Sequence, residues 1–121
     1  MDKLRNWDIL SIATWNKSKF PQNTIMKQFR KVAGEIGEWK EARTRQHRLE
    51  ELADIYIASA GLTRFGTLGT IGSFICFLMQ IIDGMGMETG TLKYAVNVKM
   101  RENVEREFDE QMQHISGAAQ R

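Results

Sequence analysis

The stretch that decides the fold runs from Glu35 to Asp54 and reads EIGEWKEARTRQHRLEELAD. It contains two acidic pairs, Glu35 with Glu38 and Glu51 with Asp54, and the members of each pair are three residues apart. On a helix this spacing places both carboxylates of a pair on one face. If the chain folds back near Thr44, Glu35 faces Asp54 and Glu38 faces Glu51. The sequence therefore predicts an antiparallel helical hairpin that gathers four carboxylates at one point.

Four carboxylates held this close repel one another and require a positive partner. We expect no thiol or imidazole beside them, and such a donor set suits a hard cation, Mg²⁺ or, as a substitute, Mn²⁺. We therefore predict that Glu35, Glu38, Glu51 and Asp54 are both the metal ligands and the catalytic residues. The alternative is an ordinary amphipathic helix whose acidic face is exposed to solvent.

Glu35-x-x-Glu38 is followed, after twelve residues, by Glu51-x-x-Asp54, within the local sequences GEIGEW and EELADI. This pattern resembles the signature of the all-α nucleoside triphosphate pyrophosphohydrolases. That group includes the MazG-like proteins, the dCTP pyrophosphatases, the dimeric dUTPases and the phosphoribosyl-ATP pyrophosphohydrolases. The resemblance extends from about residue 20 to about residue 108. One difference is Gly34, because many MazG-type domains have an acidic residue just before the first glutamate.

The resemblance implies a Mg²⁺-dependent enzyme that hydrolyses an NTP or dNTP to the monophosphate and pyrophosphate. It implies the same four acidic residues as metal ligands, and a role in nucleotide-pool control. The alternative function is a non-catalytic helical interaction protein. In that case the acidic cluster would be a structural metal site or a surface that binds a partner.

Three polar residues late in the chain, Lys99, Asn103 and Arg106, fall on one helical stripe. Two cations and an amide on one face suit a chain of phosphates. The resemblance implies the same role, since family members carry a similar Lys-x-x-x-Asn-x-x-Arg pattern. The alternative is a basic stripe that only faces solvent.

A nucleotide base would need an apolar slot with an aromatic side chain for stacking. The candidates are Trp15, Phe20, Trp39 and Tyr56. We prefer Trp15 and Phe20 as the base-binding pair, because they flank the loop that leads into the acidic helix. For each of the four the alternative is an ordinary core position.

Hydrophobic periodicity and the single proline predict an all-α bundle of four or five helices. The first helix is expected over residues 2–16, and the second begins after a cap at Asn23 or Thr24. Its apolar seam is Ile25, Phe29, Val32, Ile36 and Trp39. The later helices are expected over 46–65, 68–85 and from Thr89 or Thr91 to 114. The prediction is one domain over residues 1–115, followed by a disordered tail over 116–121.

The segment from Phe65 to Ile82 carries no charged residue and is apolar nearly all round. Its glycines, threonines and Gln80 favour packing against another helix over a membrane span. A helix of this kind must be covered on all sides, and this small domain has few helices to cover it. We therefore expect a homo-oligomer, either a dimer or a tetramer.

The formal net charge of +2 is too small to indicate nucleic-acid binding. The one cysteine, Cys76, excludes an internal disulfide bond and is expected to be buried and inert. The first residues lack the apolar core of a signal peptide, so we expect a cytoplasmic protein. We expect His47 and His114 to lie on the surface. Three arginines crowd the hairpin turn, Arg43, Arg45 and Arg48, and we expect them to be solvated; the alternative is that they screen the acidic cluster or contact the substrate.

Overall fold

A computed structural model of the chain describes residues 5–86 and 91–119, with side chains described for 5–83 and 91–107. The described residues form five α-helices and no strand, so the predicted all-α class is confirmed. The helices are α1 (Ile9–Lys19), α2 (Ile25–Glu41), α3 (Arg45–Leu62), α4 (Ile71–Gly86) and α5 (Thr91–Ala119). Two 3₁₀ turns, Thr63–Phe65 and Thr67–Thr70, connect α3 to α4.

The first helix begins later than the sequence predicts. Asp8 is its N-cap and accepts a hydrogen bond from the backbone N–H of Ser11 at 2.7 Å, which closes a capping box. The backbone N–H of Trp7 donates to Oδ1 of Asn97 on α5 at 2.9 Å. Because that N–H is held by a distant helix, residues 5–8 stay out of the helix, and the predicted start at residue 2 is wrong for them. Residues 2–4 lie outside the described residues.

Helices α2 and α3 form the predicted antiparallel hairpin. Thr24 caps α2 by accepting from the N–H of Lys27, and Thr44 caps α3 by accepting from the N–H of His47. Only residues 42–44 connect the two helices, which forces them to lie side by side. Val32, in the middle of the predicted seam of α2, is buried against α3. The hairpin thus faces its two acidic pairs toward each other.

Helix α3 is the centre of the bundle and packs against each of the other four helices. Nearly every residue from Leu49 to Leu62 is buried, and Glu50 and Asp54 are the two partly exposed exceptions. The first turn of α3, residues 45–48, is exposed, whereas from Glu51 onward the helix is buried on all sides except at Asp54. This arrangement places the carboxylate of Asp54 where α2, α3 and α5 meet.

Helix α4 begins at Ile71, three residues after the predicted start, because residues 67–70 form a 3₁₀ turn. One face of α4 packs closely on α3: a Cβ built on Gly72 would lie 2.1 Å from the carbonyl oxygen of Ser59. The opposite face is exposed and apolar. It consists of Ile71, Phe74, Phe77, Leu78, Ile81 and Ile82, called here the α4 apolar face.

Helix α5 continues to Ala119, past the predicted end at 114 and into the segment for which the sequence predicts a tail. The side chain of His114 lies outside the described ones. Cys76 is fully buried and its thiol donates to the carbonyl oxygen of Tyr56, and burial raises the pKa of this thiol to about 12. Within residues 5–86 and 91–119, no helix combines the length and the apolar character needed to cross a membrane.

Candidate active site

Three carboxylates meet on the α2–α3 hairpin. One oxygen from each of Glu35, Glu38 and Glu51 lies within 4.8 Å of the other two. Glu35 and Glu38 are on adjacent turns of α2, and Glu51 reaches them from α3. We call these three residues the carboxylate triad. The i, i+3 spacing read from the sequence is the local reason that the first two share a face.

Two members of the triad are buried without enough partners. Glu35 and Glu51 are each only 8% exposed. Their Oε2 atoms are buried and have no hydrogen-bond partner among the described residues. Burial raises the pKa of Glu51, and the negative charges of Asp54, Glu38 and Glu35 raise it further.

The triad fits the requirements of a hard divalent cation. Its donors are all carboxylate oxygens, which Mg²⁺ and Mn²⁺ prefer. A buried polar atom without a partner costs free energy, and a bound cation would satisfy the unpartnered oxygens of Glu35 and Glu51. The residues present therefore fit the metal that the sequence pattern predicts.

Asp54, the fourth predicted ligand, lies beside the triad but is not part of it. Its Oδ2 is 3.6 Å from Nζ of Lys99, and both side chains are 27% exposed. Burial raises the pKa of Asp54 to about 6, while the nearby Lys99 ammonium opposes that rise. Lys99 thus connects the acidic residues of the hairpin to the predicted phosphate-binding stripe of α5.

Two basic groups that were not predicted to belong to the site also contact the triad. Nζ of Lys31 is 3.0 Å from Oε1 of Glu35, and Nε2 of His47 is 3.2 Å from Oε1 of Glu51. The expectation that no imidazole lies beside the acids is therefore wrong, although His47 is exposed at the surface as predicted. In both contacts the two residues are four positions apart on the same helix, so the i, i+4 spacing in the sequence could have indicated them.

A cavity of about 1110 Å³ lies between α1, α2, α3 and α5, and Glu51 is the one member of the triad that does not line it. Its wall includes Glu35, Glu38 and Asp54 on one side. The predicted phosphate-binding residues line the same cavity, namely Lys99, Asn103 and Arg106. The structure thus brings together all three of these α5 residues and the acidic hairpin.

The preferred aromatic pair also lines this cavity. The rings of Trp15 and Phe20 meet edge to face, with centroids 6.1 Å apart and planes at 88°. Nε1 of Trp15 donates to Oε2 of Glu107 on α5 at 2.9 Å, which fixes the indole ring. Tyr56 is buried in the core and Trp39 packs on the core, and neither lines the cavity.

Sequence reasoning missed a group of amide side chains in the cavity wall. Asn16 and Gln28 are 6% and 5% exposed, and Asn23 contacts Gln28. We call these three residues the amide cluster. A buried amide on an otherwise apolar helix face is the indication that could have revealed Asn16 and Gln28.

No known protein family, curated protein or solved structure matches this chain. What indicates a function is the geometry of the site and the chemistry of its residues.

The raised pKa of Asp54 predicts that the metal-free protein loses stability as the pH rises. The unfolded chain has the ordinary value of 3.8 and the folded chain a value of about 6, so the folded state binds more protons between them. The contribution of Asp54 to the free energy of unfolding should fall by about 2 kcal/mol between pH 4 and pH 7. Urea unfolding of metal-free wild type and Asp54→Asn across this range measures the difference. An equal pH dependence in the two proteins would contradict the prediction.

Proposed function

We propose that this protein is a Mg²⁺-dependent nucleoside triphosphate pyrophosphohydrolase, which converts an NTP or dNTP to the monophosphate and pyrophosphate. The observation that carries the proposal is one cavity with two chemically matched walls. Carboxylates suited to a divalent cation line one wall, and Lys99, Asn103 and Arg106 line another. A triphosphate bridges these walls because its oxygens bind both a divalent cation and cationic side chains.

The roles of the residues follow from their chemistry. Glu35, Glu38 and Glu51 hold the cation, with Asp54 next to them. Mg²⁺ bound there would neutralise phosphate oxygens and lower the pKa of a bound water. Carboxylate oxygens that hold no cation accept the proton of the attacking water.

The α5 residues position the phosphate chain. Lys99 and Arg106 supply positive charge, and the amide of Asn103 donates hydrogen bonds to phosphate oxygens. Trp15 and Phe20 present aromatic surface to the base. Lys99 already neutralises Asp54 at 3.6 Å, so a bound phosphate shares this cation with the acidic wall.

The test is pyrophosphate release from a panel of NTPs and dNTPs, with Mg²⁺ and with EDTA. We expect at least one nucleotide to be cleaved with Mg²⁺ and none with EDTA. If no standard or modified nucleotide is cleaved with Mg²⁺ or Mn²⁺, the proposal fails. The alternative, an interaction protein with a structural metal or an acidic surface for a partner, would then account for the triad.

We further propose that the protein is a cytoplasmic homo-oligomer joined through the α4 apolar face. Six large apolar side chains are exposed there on one side of one helix, and exposed patches of this kind mark interaction sites. Light scattering at micromolar concentration should give at least a dimer mass for the wild type. Phe74→Glu should shift the mass toward the monomer, since it places a charge in the centre of the face.

Leu10→Glu is the matched control, because Leu10 is as exposed as any residue of that face but lies on α1. It should leave the mass unchanged. A monomer mass for the wild type would contradict the proposed oligomer.

A further inference from the structure

The orientation of the amide groups in the cluster is fixed by partners that can only donate or can only accept a hydrogen bond. Nη1 of Arg64, which only donates, is 2.9 Å from Oδ1 of Asn16. The carbonyl oxygen of Ala58, which only accepts, is 2.8 Å from Nε2 of Gln28. The amide oxygen of Asn16 and the amide nitrogen of Gln28 are therefore assigned by chemistry.

The orientation of the Asn23 amide is fixed in the same way. Its Oδ1 accepts from the backbone N–H of Thr24 at 3.0 Å, and its Nδ2 donates to Oε1 of Gln28 at 2.7 Å. Each carbonyl oxygen of the cluster thus already accepts a hydrogen bond. Nδ2 of Asn16 has no hydrogen-bond partner in the described part of the chain, and Nε2 of Gln28 uses one of its two hydrogens. Each of these two nitrogens can therefore still donate a hydrogen bond.

The two nitrogens converge over one point of α3. A Cβ built on Gly61 would lie 2.7 Å from Nε2 of Gln28 and 3.0 Å from Nδ2 of Asn16. The absence of a side chain at Gly61 is what allows the two amides to lie this close together. Both amides line the cavity, and both side chains are more than nine-tenths buried.

We propose that Asn16 and Gln28 bind the base of the substrate and select one that presents a carbonyl oxygen to them, such as uracil, thymine, guanine or hypoxanthine. A base that turns an exocyclic amino group toward them, as adenine does, would meet donor with donor and leave both groups unpaired. This inference rests on the proposed function, because it assigns the base-binding end of the same cavity.

The position of the amides agrees with this role. Gln28 and Glu35 are two turns apart on α2, so the amides lie about 10 Å along the helix from the carboxylate triad. Phosphates at the triad would direct the base toward this end of the cavity. Trp15, the residue before Asn16, lines the cavity there and offers an aromatic ring for stacking.

The experiment compares substrates that differ by one group at the base edge: dITP against dATP, and dUTP against dCTP. The protein should prefer either the purine pair or the pyrimidine pair. Within that pair we expect the nucleotide with the oxo group to have a kcat/KM at least about 10-fold higher than the one with the amino group. Binding of the matching monophosphates, measured by calorimetry, provides a readout that needs no turnover. Equal values, or a preference for the amino member, would overturn the inference.

The variant Asn16→Asp makes the test specific to the cluster. It replaces the spare donor by an acceptor and keeps the contact to Arg64, so the fold should persist. The oxo-to-amino ratio should fall at least about 10-fold and move toward the amino base. Gln22→Glu adds the same charge at an exposed position of the cavity and should leave the ratio unchanged. A ratio that is unchanged in Asn16→Asp, or that falls equally in both variants, would overturn the assignment.

These outcomes separate the inference from the proposed function. Turnover without discrimination between oxo and amino bases would contradict the inference and support the proposed function. Selective binding of oxo-base monophosphates without turnover of any triphosphate would support the inferred base selection and contradict the proposed hydrolase activity. If neither binding nor turnover is observed, both the inference and the proposed function fail.

Discussion

Glu51→Gln is expected to lower the rate of pyrophosphate release by at least about 100-fold while the protein stays folded. Glu51 supplies one of the three clustered carboxylates, and its Oε2 has no hydrogen-bond partner among the described residues. Loss of an outer partner of a metal ligand alone typically costs 10–100-fold. Loss of a ligand should cost more, and Glu38→Gln should behave in the same way. Initial rates across a Mg²⁺ titration measure the effect.

The same variant should unfold at a higher temperature than the wild type when both are metal-free. The pKa of Glu51 is raised by burial and by the charges around it, so the ionised form destabilises the folded state at pH 7. A neutral amide of the same shape removes that penalty and keeps the contact to His47. Lost activity combined with increased metal-free stability indicates a functional carboxylate rather than a structural one.

Glu50→Gln is the matched control for this experiment. It makes the same chemical change one residue earlier on α3, outside the triad. We expect activity within a few-fold of wild type. Equal losses in Glu50→Gln and Glu51→Gln would indicate a general charge effect and contradict the role given to the triad.

The sequence predicted the hairpin well because the relevant information is local. The spacing of Glu35 and Glu38 fixes a shared face, and the short turn before Thr44 leaves one way to fold back. The same local logic would have revealed the contacts of Lys31 and His47 to the triad, since each spans four residues on its own helix. These contacts were missed because only acidic residues were considered.

The remaining features depend on how distant helices lie against one another. Trp15 and Glu107 are 92 residues apart, and Asn16 and Arg64 are 48 residues apart. Periodicity gives the face of a helix that is buried, but not the partner that each buried polar atom meets. The contacts of Asn16 with Arg64, of Gln28 with Ala58 and of Trp7 with Asn97 could not be predicted for this reason.

Gly72→Ala is expected to destabilise the protein by about 1–3 kcal/mol. A Cβ at this position would lie 2.1 Å from the backbone carbonyl oxygen of Ser59 and 2.9 Å from Cβ of Leu62. Neither atom is at the end of a flexible side chain, so α4 would have to move away from α3. Since α3 is the central helix, that movement disturbs packing throughout the bundle.

Gly34→Ala provides the comparison that isolates the steric cost of the methyl group. Gly34 lies inside α2, and a Cβ there would meet nothing within 4 Å. Alanine favours a helix over glycine by about 0.5–1 kcal/mol, so this variant should be more stable than the wild type. Gly72 is the second residue of α4, so Gly72→Ala gains at most the same helix propensity as Gly34→Ala. Destabilisation by Gly72→Ala with stabilisation by Gly34→Ala in urea unfolding would reflect the close contact of α3 and α4. Stabilisation by both substitutions would show that the two helices do not approach this closely.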